Sequence, residues 1–106
     1  MAYIYEVSFD LSPAQLKQIQ MGSCLEHVLS YLKAVLPNQP GFVNARAMYS
    51  LNVPKKTEVV FSSIWDRWED LHKHMESRLA EDKIQKEFEP FLDLGDLEVR
   101  YYEELP

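Results

Sequence analysis

The chain has 106 residues, 46% of them hydrophobic and 26% charged, with 17 acidic against 11 basic side chains and a formal net charge of −6. That length supports one domain with a thin core. No run approaches the ~18 apolar residues of a membrane span, and an acidic chain whose longest basic run is Lys55-Lys56 repels a phosphate backbone, so membrane and nucleic-acid partners are set aside.

The N-terminal MAYIYEVSFD has neither the basic start nor the apolar run of a secretory leader. Together with the lone Cys24, which has no disulfide partner in the chain, it points to a cytoplasmic protein. Cys24 itself is expected to be a small buried hydrophobe.

From Tyr3 to Asp10 the sequence alternates, with Tyr3, Tyr5, Val7 and Phe9 on one face and Ile4, Glu6, Ser8 and Asp10 on the other, which predicts a strand. Ser12-Pro13-Ala14-Gln15 follows as a helix start, with serine as N-cap, proline at the first helical position and glutamine three residues after the cap. Residues 14–21 hold about two turns before Gly22. Ser23-Cys24-Leu25-Glu26 repeats the capping pattern, and Leu25, Val28, Leu29, Leu32, Val35 and Leu36 then recur at helical spacing up to Pro37. The expectation is two helices broken near Gly22, or one bent there, the 11–21 piece being an addition to the basic fold.

After the turn-forming P-N-Q-P-G of residues 37–41, residues 42–51 alternate again, with Val43, Ala45, Ala47 and Tyr49 opposite Asn44, Arg46, Met48 and Ser50. A hairpin-length connection over 52–56 leads to a strand over 57–65, apolar on both faces and so expected near the sheet centre. Asp66 with Glu69 reads as the next helix cap, and Trp68, Leu71, His72, Met75 and Leu79 as its apolar stripe, with His74 at the flank. A phase shift falls around residues 80–82, Pro90 ends or kinks the helix, 93–96 turns the chain, and 97–103 forms a last strand.

The order strand–helix–strand–strand–helix–strand predicts an α+β, ferredoxin-like βαββαβ fold: a four-stranded antiparallel sheet with its helices on one face, in a single domain over residues 1–106. The other face would expose aliphatic and aromatic side chains from every strand, a larger patch than monomers usually carry. Pairing two sheets face to face would cover it, hence an expected homodimer.

Three strings carry a family likeness: Pro40-Gly41-Phe42 before the second strand, Ser62-Ser63-Ile64-Trp65-Asp66 at the end of the third, and Leu71-His72-Lys73-His74-Met75 early in the following helix. With the element order, they resemble the antibiotic biosynthesis monooxygenase type of the dimeric α+β barrel superfamily, over nearly the whole chain except residues 11–21. The resemblance implies a cavity between sheet and helices, where members oxidise polycyclic aromatics or quinols without metal or flavin, degrade haem, or act on small signalling molecules. The haem-degrading branch's asparagine, tryptophan and histidine fall at Ser8, His74 and Ile84, so its chemistry does not carry over. No cofactor is expected.

The resemblance makes His74 the cavity-lining base, whereas helical periodicity puts His72 inward. Two positions apart on a helix, the two histidines cannot chelate a metal together, and none is expected. Trp65 and Trp68 could wall a planar aromatic ligand or simply pack a core. Asn44 and Arg46 share a strand face. If that face looks at the helices, they could hold a phenolate or enolate oxygen; otherwise Arg46 is a dimer-interface charge near Glu58 or Glu98. Two functions stay open: a cofactor-independent monooxygenase acting on a small aromatic or quinol-type substrate, and a non-catalytic small-ligand-binding or interaction module.

Overall fold

The computed structural model describes residues 2–50, 56–90 and 97–106, with only the backbone of 19–22. The connection expected over 52–56 and the turn over 93–96 therefore lie largely outside the described residues.

Strand β1, Tyr3–Leu11, is the alternating segment that opens the sequence, one residue longer than expected, and Leu11 is fully buried at its end rather than part of the added helical piece. Helix α1, Pro13–Gly22, starts at the anticipated capping box. The Gln15 amide donates to Ser12 Oγ at 3.2 Å and the Ser12 amide donates to Gln15 Oε1 at 2.9 Å. The break before α2, Cys24–Val35, falls on Ser23 and not on Gly22. Ser23 takes the left-handed conformation (φ 58°), and its side chain makes no capping bond, so the second capping box expected from the sequence does not form. Cys24 is buried in the core, with Val28 and Leu32 on the same inward stripe.

A single 3-10 turn, Leu36–Asn38, and Gly41 (φ 77°) bring the chain into β2, Phe42–Tyr49. Gly41 is required twice over: φ is in the region that side chains rarely adopt, and an added Cβ would run into the Asp70 carboxylate. An irregularity between Phe42 and Asn44 puts Phe42 on the same face as Ala45 and leaves Val43 exposed, one residue out of the expected phase. Strand β3, Thr57–Trp65, pairs with both β2 and β1, and β4, Glu98–Glu103, pairs with the other side of β1.

The sheet is antiparallel in the order β2-β3-β1-β4, so the 57–65 strand is central, as expected, with β1 beside it. Between β3 and β4 lie α3, Trp68–Ser77, and α4, Leu79–Phe88, divided at Arg78, which also adopts the left-handed conformation (φ 55°). The phase shift foreseen at 80–82 is this break. The N-cap of α3 is Arg67 rather than Asp66, and no side chain caps it.

The helices cover one sheet face. Beneath them Tyr5, Val7, Phe9, Leu11, Val59, Phe61 and Trp65 meet Val28, Leu36, Leu71, Ile84 and Phe88 in one core. Each such fully buried side chain contributes about 2 kcal/mol. The opposite face carries one or more apolar side chains from each strand (Ile4, Met48, Val60, Ile64, Tyr102) set among Glu6, Arg46, Glu58, Glu98 and Arg100. No helix is long and apolar enough to cross a membrane.

Candidate functional site

Helix α3 lies over β1 and β3, and its inward stripe is Leu71 and His74, with Met75 half-buried beside them. His74 is 2% exposed and His72 is only half-buried, so the periodicity that placed His72 inward is corrected. Helical periodicity counts Trp68 as part of the stripe, and that turns the wheel toward His72. At the first position of α3, Trp68 overhangs the sheet edge and is 42% exposed. His72 sits beside it at the surface, its ring 6.1 Å from Trp68 and its Nε2 3.6 Å from Glu76 Oε1.

Two rings pack against the His74 imidazole. The Trp65 indole stacks on it, ring centroids 4.8 Å apart at 27°, and donates its own Nε1–H to Ser63 Oγ at 2.9 Å. Tyr5 meets it edge-on at 5.4 Å and 89°. The Tyr5 hydroxyl donates to Glu81 Oε1 at 2.7 Å, and Arg78 Nη1 holds the other carboxylate oxygen at 3.2 Å. Nδ1 and Nε2 of His74 are both buried without a hydrogen-bond partner among the described residues. The Ser77 hydroxyl donates at 2.5 Å to the backbone carbonyl of His74, not to its ring. Buried polar groups are nearly always paired, and one left unpaired costs about 1–3 kcal/mol, so two on one ring call for an explanation.

Electrostatics follow from burial. Desolvation pulls His74 down to about 4, with the Glu81 carboxylate opposing, so the imidazole is neutral at neutral pH. Burial, then the bond to Glu81, push the Tyr5 phenol well above its usual range and keep it a donor. The site therefore offers one neutral ring with a free N–H and a free lone pair, in apolar surroundings.

The other sequence candidates do not join it. Asn44 and Arg46 pair with Ile64 and Ser62 and point away from the helices. The sheet separates them from His74, so an anion-holding role beside that ring is corrected: Arg46 belongs to the bare face, the alternative that the sequence left open. Trp65 lies against the imidazole itself, with no ring-sized gap between the two. Trp68 instead lines a groove of about 460 Å³ with Tyr3, Tyr101, Tyr102 and Glu103. A second groove, of about 580 Å³, runs along the bare face past Asp10, Lys56, Glu58, Glu98 and Arg100. Neither is lined by His74.

Tyr5, Arg78 and Glu81 were not singled out as a group. Tyr5 shares the helix-facing phase with Trp65, which was legible, but the Glu81 contact needed the kink at Arg78. Among the described residues, no three histidine, cysteine, aspartate or glutamate side chains converge as a metal set.

Neither a scan against protein-family profiles nor a search of curated sequences gives a match. Solved structures do match. An antibiotic biosynthesis monooxygenase candidate from Deinococcus radiodurans superposes with a TM-score of 0.64 at 15% identity, over 98% of this chain and 93% of that one. The ActVA-Orf6 monooxygenase of Streptomyces coelicolor, in complex with nanaomycin D, gives 0.63 at 15%, over 99% and 88%. SnoaB, a cofactor-independent oxygenase from Streptomyces nogalater, gives 0.59 at 12%, over 99% and 93%. The de novo designed protein Foldit4 matches equally well, 0.61 at 14% over 99% and 100%. The chain thus has the fold of the antibiotic biosynthesis monooxygenase structures, and the designed neighbour makes plain that this fold does not by itself carry a chemistry.

Proposed function

We propose that this chain is a cofactor-independent monooxygenase of the antibiotic biosynthesis type, acting on a small quinol-type aromatic as a cytoplasmic homodimer, with His74 as the proton acceptor. The observation that carries the reading is the buried imidazole with both nitrogens uncommitted. A substrate hydroxyl would give the ring the partner it lacks, and burial keeps its lone pair available at neutral pH. Proton loss leaves an electron-rich anion that can itself reduce oxygen. A ring carbon bearing two hydrogens in the keto tautomer, plus O2, yields a carbonyl and water, so the electrons balance without metal or flavin.

Phenolate and imidazolium would form together, and their attraction is stronger in an apolar site than in water. Trp65 and Tyr5 would hold the imidazole in place. Arg46, across the sheet, has no part in this step. The folds of SnoaB and of ActVA-Orf6 support the reading.

His74→Phe keeps a ring of similar bulk and cannot accept a proton. Oxygen uptake with hydroquinone and polycyclic phenol substrates is expected to fall by at least ~100-fold in this variant, the lower end for a general base. Unchanged uptake would remove the assignment.

A second reading, a non-catalytic binding module, is favoured by the closed stack of Trp65 on His74. It predicts that the wild-type protein binds such aromatics yet consumes no oxygen. Support for the homodimer comes from the bare face, with its apolar side chains on every strand. A compact single subunit in sedimentation at micromolar concentration excludes it.

A further inference from the structure

The groove at the open end of β1 and β4 shares no lining residue with the imidazole site, although its Tyr101 stacks on Tyr5 at 6.0 Å and 11°. Three of the seven exposed large hydrophobic side chains among the described residues, Trp68, Tyr101 and Tyr102, meet here, so the rings are gathered and not scattered. Tyr3 pairs with Glu103 across β1 and β4, and both face the helix side together with Tyr101. Trp68 leans over them from the first turn of α3. Its ring stands nearly perpendicular to Tyr101, at 86° and 6.4 Å, and tilts 59° from Tyr3 at 6.0 Å. Tyr102 closes the rim from around the edge of β4. The result is an open recess of about 460 Å³ with aromatic walls at steep angles and, among the described residues, one carboxylate, Glu103.

Among the described residues, no lysine or arginine lines the recess. Arg100 lies on the other sheet face, held by Glu98 Oε2 at 2.8 Å. Its guanidinium also bonds the Tyr102 hydroxyl at the rim, so the Tyr3, Trp68 and Tyr101 side of the recess is the one left for a cation. The positive end of α3 beside Trp68 is offset by Glu69 and Asp70 in its first turn. Ring faces carry negative potential and attract cations most strongly when several converge, indole being the best of them. A neutral apolar ligand would make no use of the carboxylate, and an anion would be repelled by it.

We infer that the recess formed by Tyr3, Trp68, Tyr101, Tyr102 and Glu103 is a binding site for a quaternary or methylated ammonium group. The site rests on this groove alone and stands whether or not the chain is an oxygenase. Choline and its neutral carbon isostere have the same shape and differ only in charge. Calorimetric titration of the intact protein is expected to show choline binding at least about fivefold more tightly than the isostere. Trp68→Leu, at a half-exposed position that keeps an apolar side chain, is expected to bring the ratio close to one, and Glu103→Gln to lower it. Binding of neither ligand, equal affinities in the wild type, or a ratio unmoved in Trp68→Leu overturns the inference. Oxygen uptake, measured separately, does not bear on it.

Discussion

The two faces of the sheet are built from the same strands and differ in almost everything else. Toward the helices, β1 and β3 present Tyr5, Val7, Phe9, Val59, Phe61 and Trp65, none more than 3% exposed. On the reverse, the intervening residues are Ile4, Glu6, Ser8 and Asp10 from β1 and Glu58, Val60, Ser62 and Ile64 from β3, a mixture of apolar, hydroxyl and acidic side chains. Alternation with period two keeps the two chemistries apart, because adjacent residues of a strand never look at the same neighbour. A functional assignment that joins a residue from each phase fails for that reason. His74 with Arg46 is such a pair: the pattern made both candidates, and the sheet holds them apart.

Three measurements test that contrast. The largest effect is expected from Phe88→Ala. Phe88 is fully buried, with its ring 5.0 Å from Phe9 and 6.3 Å from Phe61. Losing it should lower unfolding stability by about 4 kcal/mol in urea titrations. A cost under ~1 kcal/mol would mean that the covered face is loosely packed.

Next is the pH dependence set by His74. Its folded value, about 4, lies below the ordinary 6.5, so the unfolded chain binds the proton first. Above pH 6.5 the group has no influence. As the pH falls from 6.5 toward 4, it should remove about 3 kcal/mol of stability. Carboxylates titrate in the same range, so the readout is the difference between wild type and His74→Phe. Parallel pH profiles would show that the imidazole is more hydrated than its 2% exposure allows.

The smallest effect belongs to the bare face. Arg46→Ala should leave oxygen uptake unaltered, because the sheet separates Arg46 from His74. A loss rivalling that of His74→Phe would show that the two faces act together.

The strands and their inward phases were legible because each carries its own alternation, and the first helix start because Ser12 and Gln15 are local partners. What could not be read was set by tertiary contacts. Ser23 and Arg78 accept the left-handed conformation at the helix breaks although glycine, next door at position 22, is the residue that usually supplies it. The slip at Phe42 depends on pairing with Trp65. The choice between His72 and His74 depended on the angle at which α3 crosses the sheet, and a helical wheel drawn through an end residue such as Trp68 misstates it by a whole side chain. Leu71 and His74, the ends of the Leu-x-x-His string, are the two buried positions of that helix.

Tyr3 lies opposite Trp65 and Leu11 opposite Thr57, so the middle of the sheet joins segments 46 to 62 positions apart. As the chain leaves a ribosome, its first strand has no central partner until more than half of the protein has been made. Closing so long a loop before any reward arrives should make folding slow for a domain of this size, and the waiting Tyr3–Leu11 ribbon is the segment most in need of a chaperone.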